Sequence, residues 1–272
     1  MRNIRRTLKK TGLFVLFFSY SLFINAQQNR TQNPPVKTPV SLRADVKVEK
    51  VMDIGKLGVR LVKNSKTGEI WYSTFDGNVF KITDFDTPKA AEHLMFSAGD
   101  HGITRLQGAA FLNNTLFLCG NINANGGKGT KGRMVKYDLS KSKPVLTEVF
   151  NTVEYGTNAT TFDHGWNALA VSPDKKYIYV NSGARTDHGE VQDNNGAYPN
   201  ARDNALTSNV FRRPVNAENL LLSTDGAKLK ADGYLSAEGI RNAYDMAFDG
   251  KGNLFGVVNS GDYDQSEEMF WI

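Results

Sequence analysis

Four times along this 272-residue chain a tight polar turn separates an apolar run from a strand-like one, and that repeat limits the fold more than any other feature. The runs after the turn read TGEIWYS around Glu69, NNTLFLCG around Thr115, DKKYIYVNSG around Tyr177 and GKGNLFGVVNSG around Asn253. The runs before it are GVRLV ahead of Lys63, GAAFL ending at Leu112, NALAV ending at Val171 and DMAF ending at Phe248. Two β-prone runs around a short turn form a hairpin. With Ile70, Leu116, Ile178 and Leu254 taken as equivalent, the spacings are 46, 62 and 76 residues, which suits propeller blades with loops of varying length. The third and fourth units are followed by the same turn, Asn181-Ser182-Gly183 and Asn259-Ser260-Gly261. A β-sandwich also alternates strands and turns, but a unit copied along the chain favours an all-β fold of the β-propeller class. About four blades fit between Asp45 and Ile272, and the run Glu267 to Ile272 ends on a strand pattern, so the ring is expected to be incomplete at the C-terminal side.

Ahead of the repeat lie two segments of different character. Met1 to Ala26 carries Arg2, Arg5, Arg6, Lys9 and Lys10, then an apolar run from Gly12 to Ile24, then Asn25-Ala26. That order is the pattern of a cleavable signal peptide, and the apolar run is too short for the roughly 20 residues of a spanning helix. Residues 27–43 are polar and proline-rich and read as a flexible spacer, leaving 44–272 as the globular part. Removing the five leader cations from the 33 Lys and Arg leaves 28, equal to the 28 Asp and Glu. A neutral mature chain lacks the field that draws nucleic acid or an anionic membrane, so neither is an expected partner. The expected destination is the periplasm or the outside of the cell. The one cysteine, Cys119, sits in an apolar run and reads as a small buried hydrophobe.

Candidate chemistry gathers in three places. Asp163-His164 precedes the inner strand of the third unit, and a histidine at a channel mouth suits a general base because its pKa lies near working pH. Arg241-Asn242 stands at the equivalent place one unit on, where a guanidinium beside an amide suits a planar, carbonyl-rich anion. The run Asn259 to Glu268, with Gly261 and Asp262 at its turn, is rich in oxygen ligands of the kind calcium takes, although its spacing is not that of an EF-hand. The glycine-rich stretch Asn123 to Gly132 lacks the order of a phosphate-binding loop and reads as a flexible loop between two strands. The four histidines are too scattered for a zinc signature.

At these three clusters, from about Asp100 to Ile272, the chain resembles the soluble quinoprotein glucose dehydrogenase, sorbosone dehydrogenase and aldose sugar dehydrogenase family. The residues that carry the likeness are Asp163-His164, Arg241-Asn242-Ala243, and Gly261-Asp262 leading to Glu267-Glu268. The resemblance implies a six-bladed propeller that holds pyrroloquinoline quinone (PQQ) and calcium at the channel mouth and oxidises an aldose. It implies His164 as the base that takes the sugar hydroxyl proton, with Asp163 supporting it, and Arg241 and Asn242 on the quinone oxygens. The backbone carbonyls of Gly261 and Asp262 would be calcium ligands. The chain departs from the family in Ala243 and Asp262, where the family has proline, and in Gln107, which falls later than the family's glutamine. The family's basic residues for the quinone carboxylates belong to later blades, so this chain alone is expected to be inactive. The alternative is a propeller without catalysis that binds carbohydrate or a protein. The sugar and the electron acceptor are not specified by the sequence.

Overall fold

The computed structural model describes residues 39–157, 163–191, 196, 202–261 and 266–272. Two compact units divide the chain, 1–50 and 51–272. The described part of the first has no helix or strand, and its one turn is held by Ser41, whose hydroxyl donates to the Arg43 carbonyl and accepts from the Arg43 amide.

The second unit is built from four antiparallel blades, and each of the four hairpins legible in the sequence forms the inner half of one. Blade 1 runs β1 (Gly58–Lys63), β2 (Ile70–Thr74), β3 (Val79–Thr83) and β4 (Ala91–Phe96). Blade 2 runs β5 (Arg105–Leu112), β6 (Thr115–Ala124), β7 (Gly129–Asp138) and β8 (Val145–Thr152), with the short β9 (Tyr155–Gly156) paired to β7. Blade 3 contains β10 (Trp166–Val171), β11 (Tyr177–Ser182) and β12 (Asn209–Pro214). Beyond β12 the chain sends β13 (Leu220–Leu222) across to lie parallel on β8, and returns with β14 (Leu235–Glu238) to finish blade 3. Blade 4 has β15 (Ala243–Phe248), β16 (Leu254–Val258) and β17 (Glu268–Trp271) among the described residues. The two α-helices among the described residues are short, α1 (Ala98–His101) and α2 (Gly226–Ala231). No helix among the described residues is long and apolar enough to cross a membrane.

Ile70, Leu116, Ile178 and Leu254 pair with Lys63, Phe111, Val171 and Phe248, so the equivalence drawn from the repeat is a structural one. One expectation needs adjusting. Asn123 to Gly132 is not a free loop over its whole length: the β6–β7 ladder continues through Asn123↔Thr130 and Ala124↔Gly129, leaving only a short turn from Asn125 to Lys128. Cys119 is fully buried in β6, and burial pushes its thiol pKa far up, which makes it inert packing.

Blades pack face to face through three apolar clusters. Trp71, Phe96, Leu106, Leu118 and Tyr137 join blades 1 and 2. Phe150, Trp166, Ile178 and Phe211 join blades 2 and 3, with the Trp166 ring 5.0 Å from Phe150 and 4.9 Å from Phe211. Ala168, Ala170, Val210, Met246 and Leu254 join blades 3 and 4. Stacked in this way, the blades bring the N-terminal ends of the inner strands β5, β10 and β15 together, which is where the candidate residues stand.

Candidate functional site

His164 and Arg241 each lie two residues before an inner strand, β10 and β15, and that shared register sets them side by side. They line one cleft of about 410 Å³ together with Asn242, Tyr244, Asn259, Ser260 and Glu267. Three of the four residues singled out as catalytic or cofactor-binding are therefore brought together. Asp163 is half-buried at the entry to β10, outside that lining.

The segment after β11 holds His164 in place. The His164 amide donates to the Ala184 carbonyl at 2.9 Å, and Nδ1 lies 3.1 Å from the same oxygen. A carbonyl can only accept, so Nδ1 carries the proton and Nε2 keeps its lone pair. Burial lowers the His164 pKa, and the positive charge of Arg241 lowers it further, against weaker opposing effects of the Ala184 carbonyl, Asp187 and Asp203. The ring is accordingly neutral at neutral pH, with an open acceptor nitrogen.

The close approach of the chain around this ring demands two glycines. A Cβ on Gly165 would stand 2.4 Å from Asn121 Oδ1 and 2.7 Å from Gln107 Oε1; one on Gly183 would stand 2.4 Å from His164 Cβ and 2.8 Å from Asn242 Oδ1. The repeated Asn-Ser-Gly turn gains a physical meaning here. Gly183 lies against His164, and Gly261 lies against His188, whose Nε2 would be 2.6 Å from a Cβ at that position.

Arg241 is clamped rather than free. Nε donates to the Asp187 carbonyl at 3.1 Å, Nη2 to Asp187 Oδ1 at 2.5 Å and Nη1 to the Asn259 carbonyl at 2.9 Å. Three of the five guanidinium N–H groups are thus committed, leaving two for a ligand. The other Asp187 oxygen, Oδ2, takes His188 Nδ1 at 2.9 Å. Asn242 is 3 % exposed, with Oδ1 accepting from Asn167 Nδ2 at 2.6 Å and Nδ2 donating to Asn259 Oδ1 at 3.0 Å. Its amide therefore fixes the junction of blades 3 and 4.

Sequence reasoning missed Asp187 and Asn167, the groups that hold Arg241 and Asn242. Asp187 lies in an irregular segment 54 residues from Arg241, and no local pattern marks it. Gln107 is better placed than its sequence suggested, and Tyr244, which the sequence did not mark, lines the cleft. Gln107 Oε1 is buried without a hydrogen-bond partner among the described residues, next to Gly165.

The cleft suits the groups that the family resemblance implies only in part. Its charged lining consists of Arg241 and Glu267, and Arg241 is already paired to Asp187. The described residues offer two guanidinium N–H groups to a quinone oxygen but no cationic set for several carboxylates, so they fit only the reacting edge of such a cofactor. Among the described residues no group of three or more His, Cys, Asp or Glu is gathered to hold a metal. Asp262, expected to offer a carbonyl to calcium beside Gly261, lies outside the described residues.

Solved structures that resemble the chain include two dehydrogenases. One is an apo-form soluble aldose sugar dehydrogenase from Escherichia coli, with TM-score 0.53 and 17% identity over 81% of this chain and 62% of that one. The other is an oxidoreductase from Thermus thermophilus described as a candidate glucose dehydrogenase, with TM-score 0.50 and 18% identity over 80% of this chain and 62% of that one. The chain shares its fold with sugar dehydrogenases. It spans 62% of the length of each, and at this identity the likeness establishes the propeller fold alone. No protein-family model matches the sequence, and no curated protein does.

Proposed function

We propose that this chain carries the proton-abstracting part of the active site of an exported, quinone-dependent sugar dehydrogenase. The observation that carries the reading is His164: neutral, its proton held at Nδ1 by the Ala184 carbonyl, and placed in a cleft beside the cation Arg241. Such a ring takes a proton at Nε2 from a sugar hydroxyl as the adjacent carbon loses hydride. PQQ, when bound, would supply the hydride acceptor. Arg241, clamped by Asp187, offers its two uncommitted N–H groups to an oxygen at the cleft, and its charge helps keep His164 unprotonated before substrate arrives. Asn242, buried and doubly bonded, holds the floor between blades 3 and 4 rather than reaching a ligand. Asp163 supports the entry of the chain to His164, and Gly261 with Asp262 would present carbonyl oxygens to calcium. Export is supported by the charged and apolar leader of residues 1–26, which lies outside the described residues together with most of the 27–43 spacer.

The test is dye reduction by protein expressed from its complete reading frame, reconstituted with PQQ and Ca²⁺ and offered a panel of aldoses. Sugar-dependent reduction is expected, with a loss of roughly 10²–10⁴-fold in kcat for His164→Ala, the usual worth of a general base. The inward-turned Asn242 and the thrice-bonded Arg241 favour a second reading, a propeller that binds carbohydrate without oxidising it. Calorimetric titration separates the two: sugar binding with neither quinone binding nor dye reduction selects the second.

A further inference from the structure

Each of the four inner strands among the described residues breaks its ladder at the same place. The register shifts between Gly58 and Arg60 in β1, between Leu106 and Gly108 in β5, between Trp166 and Leu169 in β10 and between Ala243 and Asp245 in β15. The residues at the break include Gln107 in blade 2, Asn167 in blade 3 and Tyr244 in blade 4. These bulges turn the three side chains toward the candidate site: Gln107 to Gly165, Asn167 to Asn242, and Tyr244 to the lining of the cleft. A bulge also takes its own carbonyl out of the ladder, and a buried carbonyl needs a donor from elsewhere.

For the bulges of β5 and β15 the donor is one residue. Arg60, on the innermost strand of blade 1, gives Nε to the Gln107 carbonyl at 3.1 Å and Nη2 to the Tyr244 carbonyl at 2.6 Å. Its third nitrogen, Nη1, lies 3.3 Å from Asp245 Oδ2, and the guanidinium sits 5.0 Å from the centre of the Tyr244 ring. The side chain is only 10% exposed.

We propose that Arg60 is a positioning residue of the candidate site, a strut from blade 1 that fixes the bulges of blades 2 and 4 and so sets where Gln107 and Tyr244 stand on either side of His164. The planar fork is what the task requires. Lysine keeps the charge but is a point donor and cannot hold two carbonyls and a carboxylate in one plane. Arg60 touches none of the cleft-lining side chains except Tyr244, so it acts on ligand placement and leaves the proton chemistry of His164 alone.

The part of this proposal that concerns substrate rests on the sugar dehydrogenase reading, and the test is arranged to separate them. Hydrogen exchange is followed in peptides covering 104–110 and 242–247 in the native protein, Arg60→Ala and Arg60→Lys, with and without low-millimolar guanidinium. Both variants should exchange roughly tenfold faster at both bulges, about the effect of one lost net hydrogen bond, and guanidinium should restore Arg60→Ala. In the sugar assay KM should rise by about the same factor, with the acidic midpoint of the pH profile unmoved. Unchanged exchange at both bulges, or a lysine variant that behaves as the native protein, overturns the proposal. Arg60→Lys keeps the charge and stem, so it stays informative where Arg60→Ala does not fold. Absence of sugar turnover in the native protein defeats only the dehydrogenase reading, and the exchange result then decides the strut by itself.

Discussion

A half-buried histidine, His164, and a buried one, His101, show how a functional ring differs from a structural one. His101, 1 % exposed, accepts from the Ile103 amide at Nδ1 and donates from Nε2 to the Gly77 carbonyl, so neither nitrogen is left to do chemistry. His164 carries the opposite tautomer, with Nδ1 tied and Nε2 open. Burial lowers the pKa of both. For His164 as a base, kcat/KM should be flat through neutrality and fall as pH drops through a midpoint below the ordinary histidine value of about 6.5. A midpoint at or above 7 would contradict the neutral ring. The same shifts act on stability. A depressed folded pKa contributes stability that is fully present above the unfolded value and is lost as pH falls through the folded one. Urea midpoints should therefore hold above about pH 6.5 and decline below it, less steeply in His101→Gln. The sequence marked His164 because Asp-His stands before a strand, and it passed over Asp187 because nothing local to an irregular segment says that its carboxylate will meet a guanidinium 54 residues on.

Hairpins were legible at the scale of elements because alternation and turn chemistry are local, and all four fall where the repeat put them. The bulges were not legible, since a register shift depends on the partner strand and on what the neighbouring blade offers the released carbonyl. Gln107 illustrates this. It falls later than the family's glutamine, yet the bulge in β5 sends its side chain to Gly165. Gly165 is where this packing is tightest. In Gly165→Ala the new methyl meets Asn121 Oδ1, which holds the Trp166 amide at 2.8 Å, so the start of β10 must shift. A loss of about 1–3 kcal/mol is expected from denaturant midpoints, together with weaker ligand binding at His164. Near-native stability would mean that the amides of Asn121 and Gln107 can rearrange around the methyl.

Across the whole molecule, stability is organised as a row of interfaces rather than one core, because each blade buries its faces against its neighbours. These interfaces are unequal. Blades 2 and 3 share Phe117, Phe150, Trp166 and Phe211 and are further tied by β13, which leaves the blade 3 segment to pair with β8. Blades 3 and 4 share mainly Ala168, Ala170, Ala243, Val210, Met246 and Leu254, with no aromatic ring among the fully buried members. Small side chains bury less apolar area, and blade 4 has three strands among the described residues, with Met269 and Trp271 exposed on the outermost. Blade 4 should therefore open first. In native-state hydrogen exchange the amides of β15 and β16 should be released at lower denaturant than those of β6 and β7, and Arg241 should leave the cleft with them while His164 stays with blade 3. Adding a ligand that bridges His164 and Arg241 should raise protection in blade 4 more than in blade 2, since only blade 4 must be held in place for both residues to be engaged. Equal protection across the four blades, with or without ligand, would show that the propeller opens as one cooperative unit and that the weaker junction of blades 3 and 4 has no part in binding.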